Sequence, residues 1–154
     1  MLATGALLAA PPALADHKPY PDISGYTRVN IDDYRIAGKP GWWFSTPMGL
    51  NCGIWEDGSF GCDGPIPGAP AGTNQIGLFH PEQVPHFDNT DQLRFVAGSP
   101  QKLLPPGSYL SAFRGGLRCA VTPDGGVYCT AGDVYASGLQ FLVTPSGSWM
   151  GDNY

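Results

Sequence analysis

The sequence predicts an all-β fold, either an antiparallel sandwich or a small barrel, with an internal repeat. Its 154 residues include 22 glycines and 16 prolines, the two residue types that most often interrupt long helices. At the same time 42% of the chain is hydrophobic and 12% is aromatic, which is enough apolar surface to bury in a core. Short strands joined by glycine- and proline-rich turns fit both observations. The third observation is that four cysteines occur in two pairs with the same spacing.

The chain begins with an apolar run of small residues, MLATGALLAAPPALA, which stops before a charged, proline-containing segment. Ala13 and Ala15 place small side chains at the third and first positions before a signal-peptidase cut. We therefore predict a signal peptide over residues 1–15 and a mature chain that starts at Asp16; a disordered alanine- and proline-rich tail is the alternative. Residues 16–41 are expected to form an extended arm. No run elsewhere reaches the roughly 20 apolar residues of a membrane span, so no transmembrane segment is expected.

The cysteine pairs Cys52/Cys62 and Cys119/Cys129 each straddle an Asp-Gly dipeptide. If each pair faces across a β-hairpin, the hairpin loop has three residues and ends in that glycine. Such a loop is a type I turn followed by a left-handed residue, the position at which glycine costs least. Cysteine spacing and turn chemistry therefore both predict the disulfides Cys52–Cys62 and Cys119–Cys129, and with them an oxidising compartment. A zinc ribbon needs Cys-x-x-Cys knuckles, which do not occur, so no metal is expected.

The residues around each cysteine pair alternate in polarity, as in a strand with one buried face. With loops at residues 56–58 and 123–125, one face of each hairpin carries only apolar side chains and cysteines, and we predict that both faces are core. Those residues are Leu50, Cys52, Ile54, Phe60 and Cys62 in the first hairpin, and Leu117, Cys119, Val121, Val127 and Cys129 in the second. The opposite faces carry smaller and more mixed side chains.

A short aromatic strand and a turn precede each hairpin, so the same three-stranded unit occurs twice with an offset of 67 residues. The units span about residues 42–63 and 108–131, within one β domain predicted over residues 42–154. A Thr-Pro-x-Gly turn at residues 144–147, without cysteines, is expected to close the sheet.

Two further strands are predicted between the units, at residues 75–79 and 93–97, because both segments alternate in polarity. Residues 80–92 are expected to form the loop between them. The proline-rich segment 64–72 cannot join a sheet ladder, since proline has no N–H to donate, and is expected to be a surface connection.

The composition argues against several functional classes. Eight Lys and Arg residues stand against 13 Asp and Glu, a net charge of −5, so the chain lacks the clustered cations that nucleic acids and anionic membranes require. No P-loop, dinucleotide fingerprint or Gly-x-Ser-x-Gly elbow occurs, and no cofactor is expected. The sequence shows no catalytic constellation and predicts that the protein is not an enzyme.

The segment that contains His80 and His86 suggests the one catalytic function that we consider as an alternative. Prolines lie within it and keep the two histidines off a common helix face, so metal ligation is not expected. A secreted hydrolase would need a cleft in which His80 or His86 meets Asp88 or Asp91. Replacement of both histidines would test that alternative.

Aromatic residues are better candidates for a binding site, because several are predicted to face away from the disulfides. They are Trp42, Trp43, Trp55, Tyr128 and Trp149. We select Trp42, Trp43 and Trp149 as ligand-binding candidates, since exposed rings stack on sugars or on partner chains. The alternative is that a second layer of the fold packs over these rings.

Three motifs give the chain a resemblance to a family of small secreted proteins of mycobacteria and related actinobacteria, whose function is uncharacterised. The motifs are Phe-x-Thr-Pro-x-Gly-x-x-Cys at residues 44–52, Cys-Asp-Gly-x-x-Pro-Gly at 62–68 and Leu-Pro-Pro-Gly at 104–107. The resemblance covers residues 42–149. It implies export and supplies no catalytic residue.

Residues 119–129 are also similar to a blade hairpin of RCC1-type β-propellers. Those blades continue with Trp-Gly and carry a Gly-Gln-Leu-Gly signature, whereas Thr130 and Ala131 follow here and the unit occurs only twice. The likeness is interpreted as shared hairpin geometry.

The sequence as a whole predicts a secreted or cell-envelope-associated, disulfide-stabilised β protein with a binding or structural role, and its partner is expected to be a surface ligand or protein. A carbohydrate- or envelope-lipid-binding module that uses exposed tryptophans is the first alternative. A secreted hydrolase that uses the His80/His86 loop is the second.

Overall fold

The computed structural model describes residues 17–82, 84–132 and 138–152, and the predicted signal peptide over residues 1–15 lies outside them. In the described residues twelve strands form two sheets of six, which confirms the predicted all-β fold. No helix in these ranges has the length and apolar character needed to cross a membrane. The strands are β1 (Thr27–Arg28), β2 (Trp42–Ser45), β3 (Asn51–Ile54), β4 (Phe60–Asp63), β5 (Gln75–Leu78), β6 (His86–Asp88), β7 (Lys102–Leu103), β8 (Ser108–Ala112), β9 (Leu117–Val121), β10 (Val127–Ala131), β11 (Gln140–Thr144) and β12 (Gly147–Met150), with short 3-10 helices at Ile31–Tyr34 and Phe113–Gly115.

Each sheet is a meander of five consecutive antiparallel strands with one short parallel strand at its edge. The β2–β6 sheet carries β7 beside β2, and the β8–β12 sheet carries β1 beside β8. The antiparallel prediction therefore holds for both meanders, while the two edge strands make the sheets mixed. The two sheets therefore have the same order of strands, and this is the internal repeat that the cysteine spacing predicts.

The two halves of the chain exchange their edge strands. Strand β1 precedes the β2–β6 sheet but pairs with β8, and β7 precedes the β8–β12 sheet but pairs with β2. The segment before each edge strand covers the outer face of the sheet that the edge strand joins. Ile23 packs on Leu142 and its neighbours in the β8–β12 sheet, and Phe95 packs on the β2–β6 sheet. Each sheet is thus completed by residues from the other half of the chain.

The core between the sheets contains both predicted disulfides, Cys52–Cys62 and Cys119–Cys129, and the four cysteines are fully buried. In each pair the Cα atoms are 4.1 Å apart, the close approach of directly opposed residues in an antiparallel ladder. The predicted core faces of both hairpins are buried in the same cluster. Phe60 and Phe141 stack across it with ring centroids 5.8 Å apart, which joins the two sheets into a sandwich.

Both hairpin loops have the predicted three residues. The Trp55 N–H donates to the Ser59 carbonyl oxygen at 2.8 Å, which leaves residues 56–58 as the first loop. The equivalent bond in the second hairpin encloses residues 123–125. Gly58 and Gly125 have φ of 91° and 87°, the left-handed conformation that the turn requires of its last residue.

The strand predicted at residues 75–79 is β5, but the strand predicted at residues 93–97 is wrong. That segment runs as coil over the outer face of the β2–β6 sheet, and the fifth strand of the meander, β6, lies inside the predicted loop 80–92. The alternation that suggested a strand is real, because Phe95 and Ala97 are buried while Val96 is exposed. A covering segment buries alternate side chains just as a strand does, and only the hydrogen bonds of its backbone distinguish the two.

Residues 17–41, where an extended arm is expected, contain β1 and a 3-10 helix. Ile23 and Tyr34 are buried, and the Tyr34 hydroxyl donates to the Leu103 carbonyl oxygen at 3.2 Å. The segment therefore packs against the sandwich at these points.

Candidate functional site

A cavity of about 660 Å³ opens on the outer face of the β2–β6 sheet, a size within the range of small-molecule sites. Two indole rings line it, those of Trp43 and Trp55. Its other lining residues are Lys39, Pro40, Glu56, Asp57, Leu93, Arg94 and Val96. We call this cavity the Trp43–Trp55 groove. It is bounded by the first hairpin loop and by the covering segment 93–97.

A row of glycines allows aromatic rings to lie directly on the backbone of this sheet. Gly53, Gly61 and Gly77 are directly opposed on β3, β4 and β5. A Cβ atom on Gly61 would lie 2.4 Å from the Phe95 ring, and one on Gly53 would lie 3.1 Å from the Trp43 ring. Any side chain in this row would therefore displace the rings that shape the groove.

The rings beneath the groove form a continuous cluster. The Trp55 centroid lies 5.7 Å from that of Phe95 and 5.8 Å from that of Phe79, and Phe79 stacks on Phe95 at 5.6 Å. These separations are typical of stabilising aromatic pairs. The Arg94 guanidinium lies 4.4 Å from the Phe79 centroid, and the Lys39 ammonium lies 5.3 Å from the Trp43 ring. Cation–π contacts therefore position the Lys39 and Arg94 side chains at the groove.

The two indole N–H groups of the groove differ in their partners. Trp43 Nε1 donates to the Pro40 carbonyl oxygen at 3.0 Å. Trp55 Nε1 is buried and has no hydrogen-bond acceptor among the described residues. A buried donor without an acceptor is uncommon in folded proteins and is costly to leave unpaired. The Trp55 N–H is therefore unpaired within the described part of the chain and lies beneath the surface of the groove.

Asp63 fixes the covering segment to the sheet. Its side chain is buried, Oδ1 accepts a hydrogen bond from Gln75 Nε2 at 2.6 Å, and Oδ2 accepts one from the Phe95 N–H at 2.6 Å. Desolvation by burial raises the pKa of the Asp63 carboxyl, and these hydrogen bonds partly oppose the rise. In a β-sheet the Phe95 N–H would donate to a carbonyl oxygen of a neighbouring strand. Here the Asp63 carboxylate takes the place of that acceptor.

Asp63→Ala is expected to destabilise the protein by about 3 kcal/mol, because the buried Gln75 amide and Phe95 N–H lose their acceptor. The change in the free energy of unfolding can be measured with urea at neutral pH. Asp91→Ala, at an exposed position, is the control and should change that free energy by less than about 0.5 kcal/mol. Equal effects of the two substitutions would contradict the role assigned to Asp63.

The charged residues of the groove balance each other. Lys39 and Arg94 stand against Glu56 and Asp57. Arg35 donates to Glu56 Oε1 at 2.9 Å, and this hydrogen bond holds the pKa of Glu56 below its usual value. The groove therefore offers donors and acceptors without an excess of either charge.

The structure separates the three predicted ligand-binding tryptophans. Trp43 lines the groove, although most of its surface is buried. Trp42, the next residue on the strand, points to the opposite side, where Arg35 lies 4.3 Å from its ring centroid and Phe113 packs against it edge-on. Trp149 lies on the other sheet. Trp55 lines the groove and was not among the three selected residues.

The histidine loop brings together some of the residues that the hydrolase alternative named. His86 Nδ1 lies 3.0 Å from Asp88 Oδ2, and His86 Nε2 lies 2.8 Å from Glu82 Oε2. Both ring nitrogens thus face carboxylates rather than a hydroxyl or thiol nucleophile. No group of three His, Cys, Asp or Glu side chains in the described ranges has the arrangement of a metal site.

Comparison with known proteins finds no family model, no curated protein and no solved structure that matches the chain.

Proposed function

We propose that the protein is an exported, disulfide-stabilised binding protein that takes a carbohydrate in the Trp43–Trp55 groove. The observation that carries the proposal is a preformed cavity of about 660 Å³ that combines two indole rings with balanced charges on one face of the sandwich. Apolar walls with a few polar groups are typical of ligand sites.

Sugar rings match the chemistry of this groove. Their C–H faces stack on aromatic rings, and their hydroxyl groups donate and accept hydrogen bonds. Trp55 offers a ring face, while Lys39 and Glu56 offer a donor and an acceptor beside it. The net charge of −5 disfavours polyanionic ligands, so a neutral sugar fits best.

Export is the second part of the proposal. Two buried disulfides are stable in an oxidising compartment and uncommon in the cytosol. The predicted signal peptide over residues 1–15 and the resemblance to secreted actinobacterial proteins support the same location. Such a protein would meet its carbohydrate at the cell envelope or outside the cell.

The four tryptophan indole signals in a ¹H–¹⁵N spectrum test the binding site directly. The probes are cellohexaose, mannohexaose, maltohexaose and xylohexaose, titrated one at a time. We expect one of them to shift the Trp43 and Trp55 signals in a saturable way and to leave Trp42 unchanged, since Trp42 faces away from the groove.

A pair of variants identifies the ring responsible. Trp55→Leu should weaken this binding by about tenfold or more, because it removes the stacking face. Phe113→Leu, at an exposed ring outside the groove, is the matched control and should bind like the wild type. A folded Trp55→Leu variant with wild-type affinity, or Trp43 and Trp55 signals that none of the probes shifts, would contradict the proposal.

A further inference from the structure

A second groove, of about 340 Å³, opens on the outer face of the β8–β12 sheet. Tyr26 and Trp149 supply its aromatic surfaces, and three prolines stiffen its walls. The remaining lining residues are mostly polar. The full set is Pro19, Pro21, Tyr26, Thr122, Pro123, Asp124, Leu142, Thr144, Ser146 and Trp149. We call it the Trp149 groove.

The two grooves occupy equivalent places in the two halves of the chain. The offset of 67 residues that relates the cysteine pairs also relates residues 55–57, in the first groove, to residues 122–124, in the second. Each groove lies beside the hairpin loop of its own unit. Each is also bounded by a covering segment from the other half of the chain, residues 93–96 in one case and 19–26 in the other. The fold therefore builds a groove of this kind twice.

The lining of the Trp149 groove is suited to hydroxyl groups. Asp124 Oδ1 accepts a hydrogen bond from Thr122 Oγ1, and the second carboxylate oxygen can accept from a ligand. Thr144 Oγ1 and Ser146 Oγ lie 3.0 Å apart at the same groove. Burial and the nearby Asp124 charge raise the pKa of Tyr26, so its phenol stays protonated and can donate.

We propose that the Trp149 groove is a second carbohydrate site, which takes a neutral sugar ring of a polysaccharide. Asp124 is the only charged residue in the described lining, and a carboxylate without a neighbouring cation repels acidic sugars. Half-buried Trp149 and Tyr26 offer ring faces, and the hydroxyl and carboxylate oxygens offer hydrogen bonds. This inference goes beyond the function proposed for the first groove and can fail independently of it.

The positions of the two grooves make the protein divalent for separate polysaccharide segments. The grooves lie on the outer faces of opposite sheets. A Cβ atom on Gly125 would lie 3.1 Å from Pro47, so the second hairpin loop sits at the β2–β3 turn, the end of the sandwich opposite the first hairpin loop. Because the grooves face away from each other, the two sites would take separate polysaccharide segments. The protein would then hold these two segments together.

Isothermal titration calorimetry with the same four hexasaccharides, combined with the indole spectrum, tests this inference. The wild type should bind two molecules of the active hexasaccharide per chain, and the Trp149 signal should shift on binding. Trp149→Leu keeps an apolar contact with Leu142 and should reduce the stoichiometry to one. Asp124→Asn, which changes a loop side chain without emptying the groove, should weaken the second site by about tenfold. Phe113→Leu should retain both sites.

The Trp55 and Trp149 signals report on the two proposed sites separately. A shift of Trp55 alone with a stoichiometry of one would overturn the second site and leave the first. A shift of Trp149 alone would support the second site and overturn the function proposed for the first groove. If neither signal moves, both proposals are wrong. Light scattering with the long polysaccharide corresponding to the active probe should show cross-linking by the wild type and none by Trp149→Leu; equal scattering by both would contradict divalency.

Discussion

Replacing all four cysteines by alanine is expected to destabilise the protein by about 6 kcal/mol, about 3 kcal/mol for each disulfide by the loop-entropy estimate. Each bridge closes a loop between residues ten apart, and all four cysteines are fully buried in the core that joins the sheets. Because a domain of this kind is stable by only about 5–15 kcal/mol, the variant should lose a large part of its free energy of unfolding.

Urea unfolding monitored by tryptophan fluorescence measures this effect. The two double variants, C52A/C62A and C119A/C129A, are matched controls and should each lose about half of the total. A four-alanine variant within about 1 kcal/mol of the wild type would show that the hairpins keep their register without the bridges, contrary to the role given to them here.

Phe95→Ala is expected to cost about 4 kcal/mol, a typical loss for a buried phenylalanine. The Phe95 ring is fully buried and lies against Gly53, Gly61 and Gly77, which have no side chains to fill the space that it would leave. The covering segment would lose its anchor, so the carbohydrate binding proposed for the Trp43–Trp55 groove should weaken as well.

The control for Phe95→Ala is Leu93→Ala in the same segment, because the Leu93 side chain is 45% exposed. It should change the free energy of unfolding by less than about 1 kcal/mol. Urea unfolding compares the two variants directly. Similar losses of stability in both would mean that the segment does not depend on the ring over the glycine row.

The hairpins could be predicted from sequence because two independent patterns agreed on one register. The spacing of Cys52 and Cys62 places the loop over Asp57-Gly58, and the three-residue turn requires glycine at its end. Local rules of this kind need no knowledge of the rest of the chain. The same reasoning predicted Cys119–Cys129, and the structure contains both disulfides.

The outer layer could not be predicted in the same way, since it depends on contacts between residues far apart in sequence. Alternation at residues 93–97 indicates one buried side, but it does not show whether the backbone bonds to a strand or to a side chain. Here the Phe95 N–H bonds to Asp63, and the Ala97 N–H bonds to Gln101 Oε1 at 2.9 Å. The exchange of β1 and β7 between the sheets likewise has no local signal.

The candidate site was predicted in part. Trp43 and Trp149 each line a groove, while Trp42 faces away from both. The three selected candidates do not include Trp55, although it follows β3 on the face away from the disulfide. Its signal in the sequence was the pair of glycines, Gly53 and Gly61, on that same face, since bare backbone on a sheet face invites a ring to pack there.

The proposed function requires that the chain is exported and oxidised at both cysteine pairs. The most direct test is the intact mass of the protein, with and without reductant, recovered from culture supernatant and envelope fractions of the cells that produce it. We expect a species that begins at Asp16 and gains about 4 Da on reduction, as two disulfides require. A full-length species confined to the cytoplasm with four free thiols would contradict export, the disulfide-stabilised core and the proposed function together.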